Sequence, residues 1–247
     1  MVQGKYFYCI IKSDGNKRFG PIGIGGHGDE VYTISYRDIS AVVSNISLIE
    51  VEADEKNALT HMDVIQRVME QQTVLPVKFG TIFKDKNGVE KCLAMIYGQV
   101  KSELPKMDGK VELGVKVLWH PNKAIEQIKK TSDQVKNMEK EIQSMSEGKA
   151  YLMRVKMEQT LNEEINKMSE QYAHQIYREL MKCAENSLQL KLVGYMILYA
   201  AFLVSKKSID DFKNKVNQMQ EKWKEKGVEL ILSGPWPPFN FTNIRYE

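Results

Sequence analysis

The most informative segment of the chain is Ser233-Gly234-Pro235-Trp236-Pro237-Pro238-Phe239-Asn240-Phe241, which follows an apolar run at residues 228–232. The apolar run predicts a strand. Proline fixes φ, donates no hydrogen bond and favours extended geometry at the residue before it. Because Gly234 turns a chain at little steric cost, we expect the strand to stop there and an extended tail to follow over 234–247.

The tail carries three aromatic side chains, Trp236, Phe239 and Phe241. A terminus without contacts seldom carries so many, so we expect this tail to lie on a surface. Two interpretations stay open. Either the three side chains bind a partner, or they pack within the chain and seal the joint between two domains.

The composition is that of an ordinary folded protein, with 247 residues, 43% apolar and 27% charged. The net charge of +3 gives no electrostatic reason to expect nucleic acid or an anionic membrane as partner. The longest apolar run, residues 192–204, is too short to span a bilayer, and the first residues lack a secretory apolar core. Cys9, Cys92 and Cys183 suit buried thiols in a reducing cytosol.

The first half alternates strands and helices. We predict a central strand at 5–12, a glycine-rich loop at 14–29 and a hairpin of 31–36 with 39–44. A helix is expected to start at Asp54, and an extended segment follows at 77–83. A second helix at 89–104 should end before Pro105, and a half-buried strand is expected at 111–119. These elements predict an α+β sandwich of the ferredoxin type over residues 1–120.

The second half predicts another small α+β domain, over residues 121–233. Pro121 suits the first turn of a helix. Apolar residues at helical spacing then predict a long antiparallel helical hairpin at about 132–188, turning at Ser146-Glu147-Gly148. A strand at 190–205, a helix at 206–226 and a closing strand at 228–232 complete this domain.

A second functional hypothesis is a small-ligand or nucleotide-binding enzyme that uses Gly23-Ile24-Gly25-Gly26-His27-Gly28 and His61. The glycine loop satisfies G-x-G-x-x-G, but a dinucleotide site needs that pattern between a strand and a helix. Residues 29–34 predict a strand headed by two acidic residues, which would repel a phosphate. No serine or cysteine lies near His61 in sequence as a nucleophile, and no second histidine follows at i+4 as a metal ligand. A surface loop and a helix-start histidine that bonds locally or covers the sheet are the alternatives.

A third hypothesis is RNA binding. Lys78-Phe79-Gly80-Thr81-Ile82-Phe83 resembles the aromatic strand of RNA-recognition domains, and Tyr6 and Tyr8 could stack on bases. The full pattern needs another glycine and a third aromatic residue, and the net charge offers little attraction for phosphates. A core strand is the favoured interpretation.

Eight separate segments, taken in order, resemble the gas vesicle protein F/L family across nearly the whole chain. They are Tyr6-Phe7-Tyr8, Tyr36-Arg37-Asp38-Ile39-Ser40-Ala41-Val42-Val43-Ser44, His61-Met62-Asp63-Val64, Thr73-Val74-Leu75-Pro76-Val77-Lys78-Phe79-Gly80-Thr81, Gly114-Val115-Lys116-Val117, Gly148-Lys149-Ala150-Tyr151-Leu152, Ala200-Ala201-Phe202-Leu203-Val204 and the 233–241 segment. They do not separate the F branch from the L branch.

The resemblance implies a ferredoxin-like N-terminal half and a modified ferredoxin-like C-terminal half. It also implies a non-enzymatic accessory role in building gas vesicles, with no catalytic residues and no cofactor. The expected partners are the main shell protein, gas vesicle protein A, and other accessory proteins of the vesicle. The expected location is the gas vesicle, after a cytoplasmic stage before assembly.

Overall fold

The computed structural model describes residues 4–24, 29–47 and 51–245. They form two units, one made of Met1–Glu112 with Pro235–Glu247 and the other of Leu113–Gly234. Each unit combines helices with a sheet, and the strand pairs of the first sheet and the β8/β9 pair of the second are antiparallel. The predicted α+β class is therefore confirmed.

The first unit is built around a sheet whose strand order is β2-β3-β4-β1-β5, with β6 also paired to β1. Its elements, in chain order, are β1 (Gly4–Lys12), β2 (Arg18–Gly23), β3 (Asp29–Tyr36), β4 (Ile39–Ile46), α1 (Glu55–Gln71), β5 (Val74–Pro76), β6 (Ile82–Phe83) and α2 (Lys86–Met107). The predicted central position of β1 is confirmed, because it lies between β4 and the short strands β5 and β6.

Local sequence signals account for several of these boundaries. The side chain of Asp54 accepts a hydrogen bond from the backbone N–H of Asn57 and caps α1, as its position before the apolar pattern predicts. The β3–β4 hairpin turns at the predicted residues, and Arg37 adopts a φ of 54° there. These two predictions are confirmed.

Two predictions for the first unit are wrong. The glycine-rich segment 14–29 is not a continuous loop, since β2 forms within it as the outermost strand of the sheet order. This edge strand is irregular, and it contains Gly20, with a φ of 92°, and Pro21. Both residue types are typical of loops, so the sequence pattern does not predict a strand here. Helix α2 also continues past Pro105 to Met107, because the proline falls in the last turn, where Leu104 and Met107 are still buried.

The second unit contains a four-stranded sheet in the order β10-β7-β9-β8. Its elements are β7 (Lys110–Trp119), α3 (Pro121–Thr131), α4 (Asp133–Ser144), α5 (Glu147–Met181), β8 (Asn186–Gln189), β9 (Met196–Ser205), α6 (Ile209–Lys224) and β10 (Val228–Trp236). Pro121 occupies the first turn of α3, as predicted.

The core of the second unit forms where α5 and α6 cover this sheet. Tyr172 of α5 lies between two tryptophans, with ring centroids 5.1 Å from Trp119 and 4.7 Å from Trp223. Ile176 and Leu180 follow at helical spacing and are fully buried. The second half of α5 therefore belongs to the core, and its apolar residues recur at helical spacing because one face of the helix is buried.

Three boundaries in the second unit differ from the predicted ones. Helix α5 ends at Met181, and residues expected to be helical form β8 instead. The predicted strand over 190–205 begins only at Met196. Strand β10 runs through Pro235 to Trp236, since it ends the sheet order and an edge strand tolerates a residue without an N–H.

Two glycines of the first unit test how backbone conformation limits stability, because a Cβ at either position meets no atom within 4 Å. Gly98 lies inside α2, so we expect Gly98→Ala to raise the free energy of unfolding by about 1 kcal/mol. Gly109 has a φ of 66°, so Gly109→Ala should lower it by about 1 kcal/mol. Urea unfolding followed by circular dichroism measures both values, and a loss of stability in Gly98→Ala would contradict the assignment of α2.

Candidate functional site

The segment after β10 is held on the first unit by one buried carboxylate. We call residues 237–245 the docked segment. Glu112 of β7 is only 6% exposed. Its Oε2 accepts the backbone N–H of Asn240 at 2.9 Å, and its Oε1 accepts the Nδ2–H of the same residue at 2.6 Å. Burial raises the pKa of Glu112 above its usual value, while the two hydrogen bonds from Asn240 act in the opposite direction.

Other contacts hold the rest of the docked segment. The ring of Phe239 lies 6.2 Å from the His61 ring, between centroids, and Phe241 is 8% exposed. The backbone N–H of Arg245 donates to Oε1 of Gln99 at 3.1 Å. Residues 239–241 form a 3₁₀ turn, so the predicted fully extended tail is wrong: Glu112 and the buried rings fold it back.

The three predicted partner-binding residues are thus in different surroundings. Trp236 lies at the end of β10 and is 37% exposed. Phe239 is half-buried and Phe241 is buried. Only the tryptophan offers a substantial apolar surface to another molecule.

His61 is a core residue, not a residue of an exposed helix start. It is 2% exposed, and its Nε2–H donates to the carbonyl of Val77 at 3.0 Å. Its Nδ1 lies 3.0 Å from the hydroxyl of Tyr6, which in turn accepts the backbone N–H of Gly80. Both ring nitrogens therefore have partners, and Tyr6 donates to Nδ1. Burial lowers the pKa of His61 from 6.5 to about 4, so the ring is neutral at physiological pH.

The two tyrosines proposed to stack on RNA bases are inside the same network. Tyr6 and Tyr8 have no exposed surface. The hydroxyl of Tyr8 accepts the backbone N–H of Ile24 and lies 2.8 Å from Oγ of Ser44. Their rings cannot reach a base in the folded protein. The core strand favoured for residues 78–83 is wrong, however, because the chain turns at the exposed Gly80, with a φ of 81°, and only Ile82–Phe83 form a strand.

The glycine loop falls only partly within the described residues. Gly25, Gly26, His27 and Gly28 lie outside them. Gly23 ends β2 and pairs with Asp29 of β3, and a Cβ at Gly23 would lie 2.7 Å from the Asp29 carbonyl oxygen. The element after the loop is a strand, so the strand-to-helix context of a dinucleotide site is missing.

Two further searches cover the described ranges alone. Within residues 4–24, 29–47 and 51–245, no group of three or more His, Cys, Asp or Glu side chains is placed to hold a metal ion. In the same part of the chain, no helix combines the length and apolar character that crossing a membrane requires.

Sequence reasoning missed an exposed apolar loop in the second unit. Leu192, Val193 and Tyr195 lie between β8 and β9 and are between 49% and 69% exposed. The sequence predicts a strand across this segment, where apolar residues are expected to be buried. The turn at Gly194, with a φ of 62°, is the only signal that separates the loop from β9.

Comparison with known proteins shows which family the chain belongs to. The sequence pattern of a family described as gas vesicle synthesis protein GvpL/GvpF matches residues 4–243, so the chain belongs to this family. Its members are gas vesicle proteins, and the chain is involved in gas vesicle formation.

The similarity extends over whole chains. Gas vesicle protein F1 of Halobacterium salinarum is 25% identical over 247 residues, covering 99% of this chain and 95% of the relative. Gas vesicle protein L of a Streptomyces species is 26% identical over 262 residues, covering 98% and 94%. These two relatives, one named F and the other L, are thus similar to this chain to the same extent.

Two crystal structures share the fold. Gas vesicle protein GvpF from Anabaena superposes with a TM-score of 0.80 at 19% identity, covering 98% of this chain and 97% of that one. GvpF from Microcystis aeruginosa gives a TM-score of 0.75 at 19% identity, covering 98% and 100%.

The buried His61 predicts how stability depends on pH. Its pKa is lowered in the folded state, so the unfolded chain binds a proton first as the pH falls. The contribution of His61 is complete above pH 6.5 and is lost between about 6.5 and 4, by about 3 kcal/mol in all. Urea unfolding from pH 7 to pH 4 should show this slope in the unsubstituted protein and a shallower one in His61→Gln. His174→Gln, at an exposed position of α5, is the matched control, and equal slopes in all three proteins would contradict the buried neutral ring.

The Glu112–Asn240 contact predicts that Asn240→Asp releases the docked segment. The substitution places a second carboxylate against a buried one, and like charges at this distance repel. Hydrogen exchange over residues 237–245 should become at least tenfold faster at pH 7. Asn243→Asp makes the same change at an exposed position and should leave the exchange unaltered. Equal exchange in both variants would rule out Glu112 as the anchor.

Proposed function

We propose that this protein is a non-enzymatic accessory protein that binds the main shell protein, gas vesicle protein A, while the vesicle nucleates and grows. It is cytoplasmic before assembly and then joins the gas vesicle as a minor component, alongside other accessory proteins. Membership of the GvpL/GvpF family carries this proposal. A shell subunit that polymerises through apolar surfaces and strand edges is prone to aggregation, so a protein that covers these surfaces has a clear use.

We assign the partner contact to Trp236. Tryptophan is enriched among the residues that contribute most to the stability of protein interfaces. Trp236 ends β10, which lies at one end of the strand order of the second sheet. Phe239 and Phe241 contribute by holding in place the docked segment, which directly follows Trp236 in the chain. A partner could add its own strand to β10 and cover the indole ring in the same contact.

The proposal keeps two domains and a tail over 234–247, but β7 is counted in the second domain, so the first ends at Glu112 and not at the expected residue 120. The second unit supports a modified ferredoxin-like assignment, because its elements run strand, helices, strand, strand, helix, strand and its first strand, β7, lies between the last and the third. Three helices, α3 to α5, replace the single first helix of the simple pattern. The first unit departs from that pattern, because four strands precede its first helix.

The state of His61 supports a non-enzymatic role over the alternative of a nucleotide-using enzyme. A general base needs a free lone pair at the reacting atom. Both ring nitrogens of His61 are engaged with Tyr6 and Val77, inside the core. The Nε2 proton is donated to Val77 and the Nδ1 lone pair accepts from Tyr6, so neither is available to a substrate.

Capture of the main shell protein tests the proposed function. We expect the tagged full-length protein to retain co-expressed gas vesicle protein A, and Trp236→Ala to reduce the retained amount about tenfold or more. The matched control is Tyr151→Ala, which truncates another exposed aromatic side chain, on α5. Both variants should keep the thermal midpoint of the unsubstituted protein. Undiminished capture by Trp236→Ala would refute the assignment of the contact, and no capture by any form would refute the function.

A further inference from the structure

A polar cleft of the first unit lies on the face of the sheet opposite His61. It encloses about 580 Å³ and is lined by residues of β1, β2, β3, β4 and the first turns of α2. Tyr6 contacts His61 of α1, so its neighbour Lys5 points to the other face, where Lys86 and Glu90 of α2 share the cleft. No residue of the docked segment lines this cleft.

Lys5 is the central side chain of this cleft. It is half-buried, and its ammonium group donates to Oδ1 of Asn45. The hydroxyl of Tyr32 donates to the same oxygen at 2.9 Å, and the Tyr32 ring centroid lies 5.8 Å from the ammonium nitrogen. Both partners of Lys5 in the described chain are neutral. A cation withdrawn from water is normally matched by a counter-charge, and here that counter-charge is missing.

The carboxylates of the cleft are already engaged with its other cations. Glu30 lies 3.9 Å from Arg18, and Glu90 lies 3.4 Å from Lys86. With Lys5 and Lys17 the lining contains four basic residues and two acidic ones, a formal excess of two positive charges, and the Lys17 ammonium group also donates to Oε1 of Gln72 at 2.8 Å. The cleft is therefore complementary to an anion that reaches Lys5.

We infer that this cleft binds an acidic segment of a partner polypeptide, with one carboxylate on Lys5 and its neighbours on Arg18 and Lys86. The inference rests on the proposed role as a partner-binding protein. A polypeptide fits better than a free small anion because Arg18 and Lys86 are exposed, at 80% and 68% of their side chains. Ion pairs so open to water are weak one by one, so useful affinity requires several carboxylates on one chain.

A labelled hexaglutamate peptide tests the inference by fluorescence polarisation with the full-length protein. We expect saturable binding that weakens as salt rises from 50 to 200 mM, and no binding of hexaglutamine. Lys5→Gln should weaken binding about tenfold, which corresponds to one partly desolvated charge contact. Lys86→Gln, at the exposed rim, should weaken it about twofold and serves as a second variant if Lys5→Gln lowers the thermal midpoint. Lys149→Gln removes the same charge at an exposed position of α5 and should have no effect.

Three results would overturn the inference. They are no saturable binding of hexaglutamate, equal weakening by Lys5→Gln and Lys149→Gln, and displacement of the peptide by inorganic phosphate at equal concentration, which would indicate a small-anion site. Capture of gas vesicle protein A is measured separately. If hexaglutamate fails to bind while Trp236→Ala still abolishes capture, only the cleft assignment is lost. If no form captures the shell protein, the proposed function is lost whatever the peptide does.

Discussion

A single buried carboxylate sets the position of the docked segment. Glu112 carries a charge into a nearly closed site, and it stays there because Asn240 supplies two hydrogen bonds, one from the backbone and one from the side chain. Because both hydrogen bonds come from Asn240, they fix which residue of the docked segment lies against Glu112, and the positions of the neighbouring residues follow. Phe241 is carried into the core and Trp236 is left at the accessible end of β10. The position of Trp236, proposed to bind the shell protein, therefore depends on the Glu112–Asn240 contact, although neither of these two residues is proposed to contact the shell protein.

Two buried groups with perturbed pKa values, His61 and Glu112, serve the fold. Strongly shifted ionisable groups often mark active sites, yet structural networks shift them too. Burial lowers the pKa of His61 and raises that of Glu112, and every polar atom involved has an intramolecular partner. In contrast, Lys5 lies half-buried beside neutral partners. For a protein proposed to bind other chains, the charge of Lys5, which has only neutral partners, indicates a binding site better than the fully paired groups His61 and Glu112 do.

The sequence predicted those elements whose pattern is repeated over many residues. The β3–β4 hairpin, the cap at Asp54 and the apolar period of α5 were all visible, because each arises from local spacing. The failures fall at sheet edges and helix ends: β2, β8, the passage of α2 through Pro105 and that of β10 through Pro235. There the backbone needs fewer hydrogen bonds, so breaker residues are tolerated. The site was less predictable than the fold, since Glu112 and Asn240 are 128 positions apart and no local pattern links them.

The central claim is that Trp236 and β10 receive the partner while the docked segment stays in place. Hydrogen exchange of the full-length protein, with and without gas vesicle protein A, measures both parts at once. The account predicts slower exchange over residues 228–236 on addition of the shell protein and unchanged exchange over 237–245. Unchanged exchange over 228–236, or faster exchange over 237–245, would contradict it.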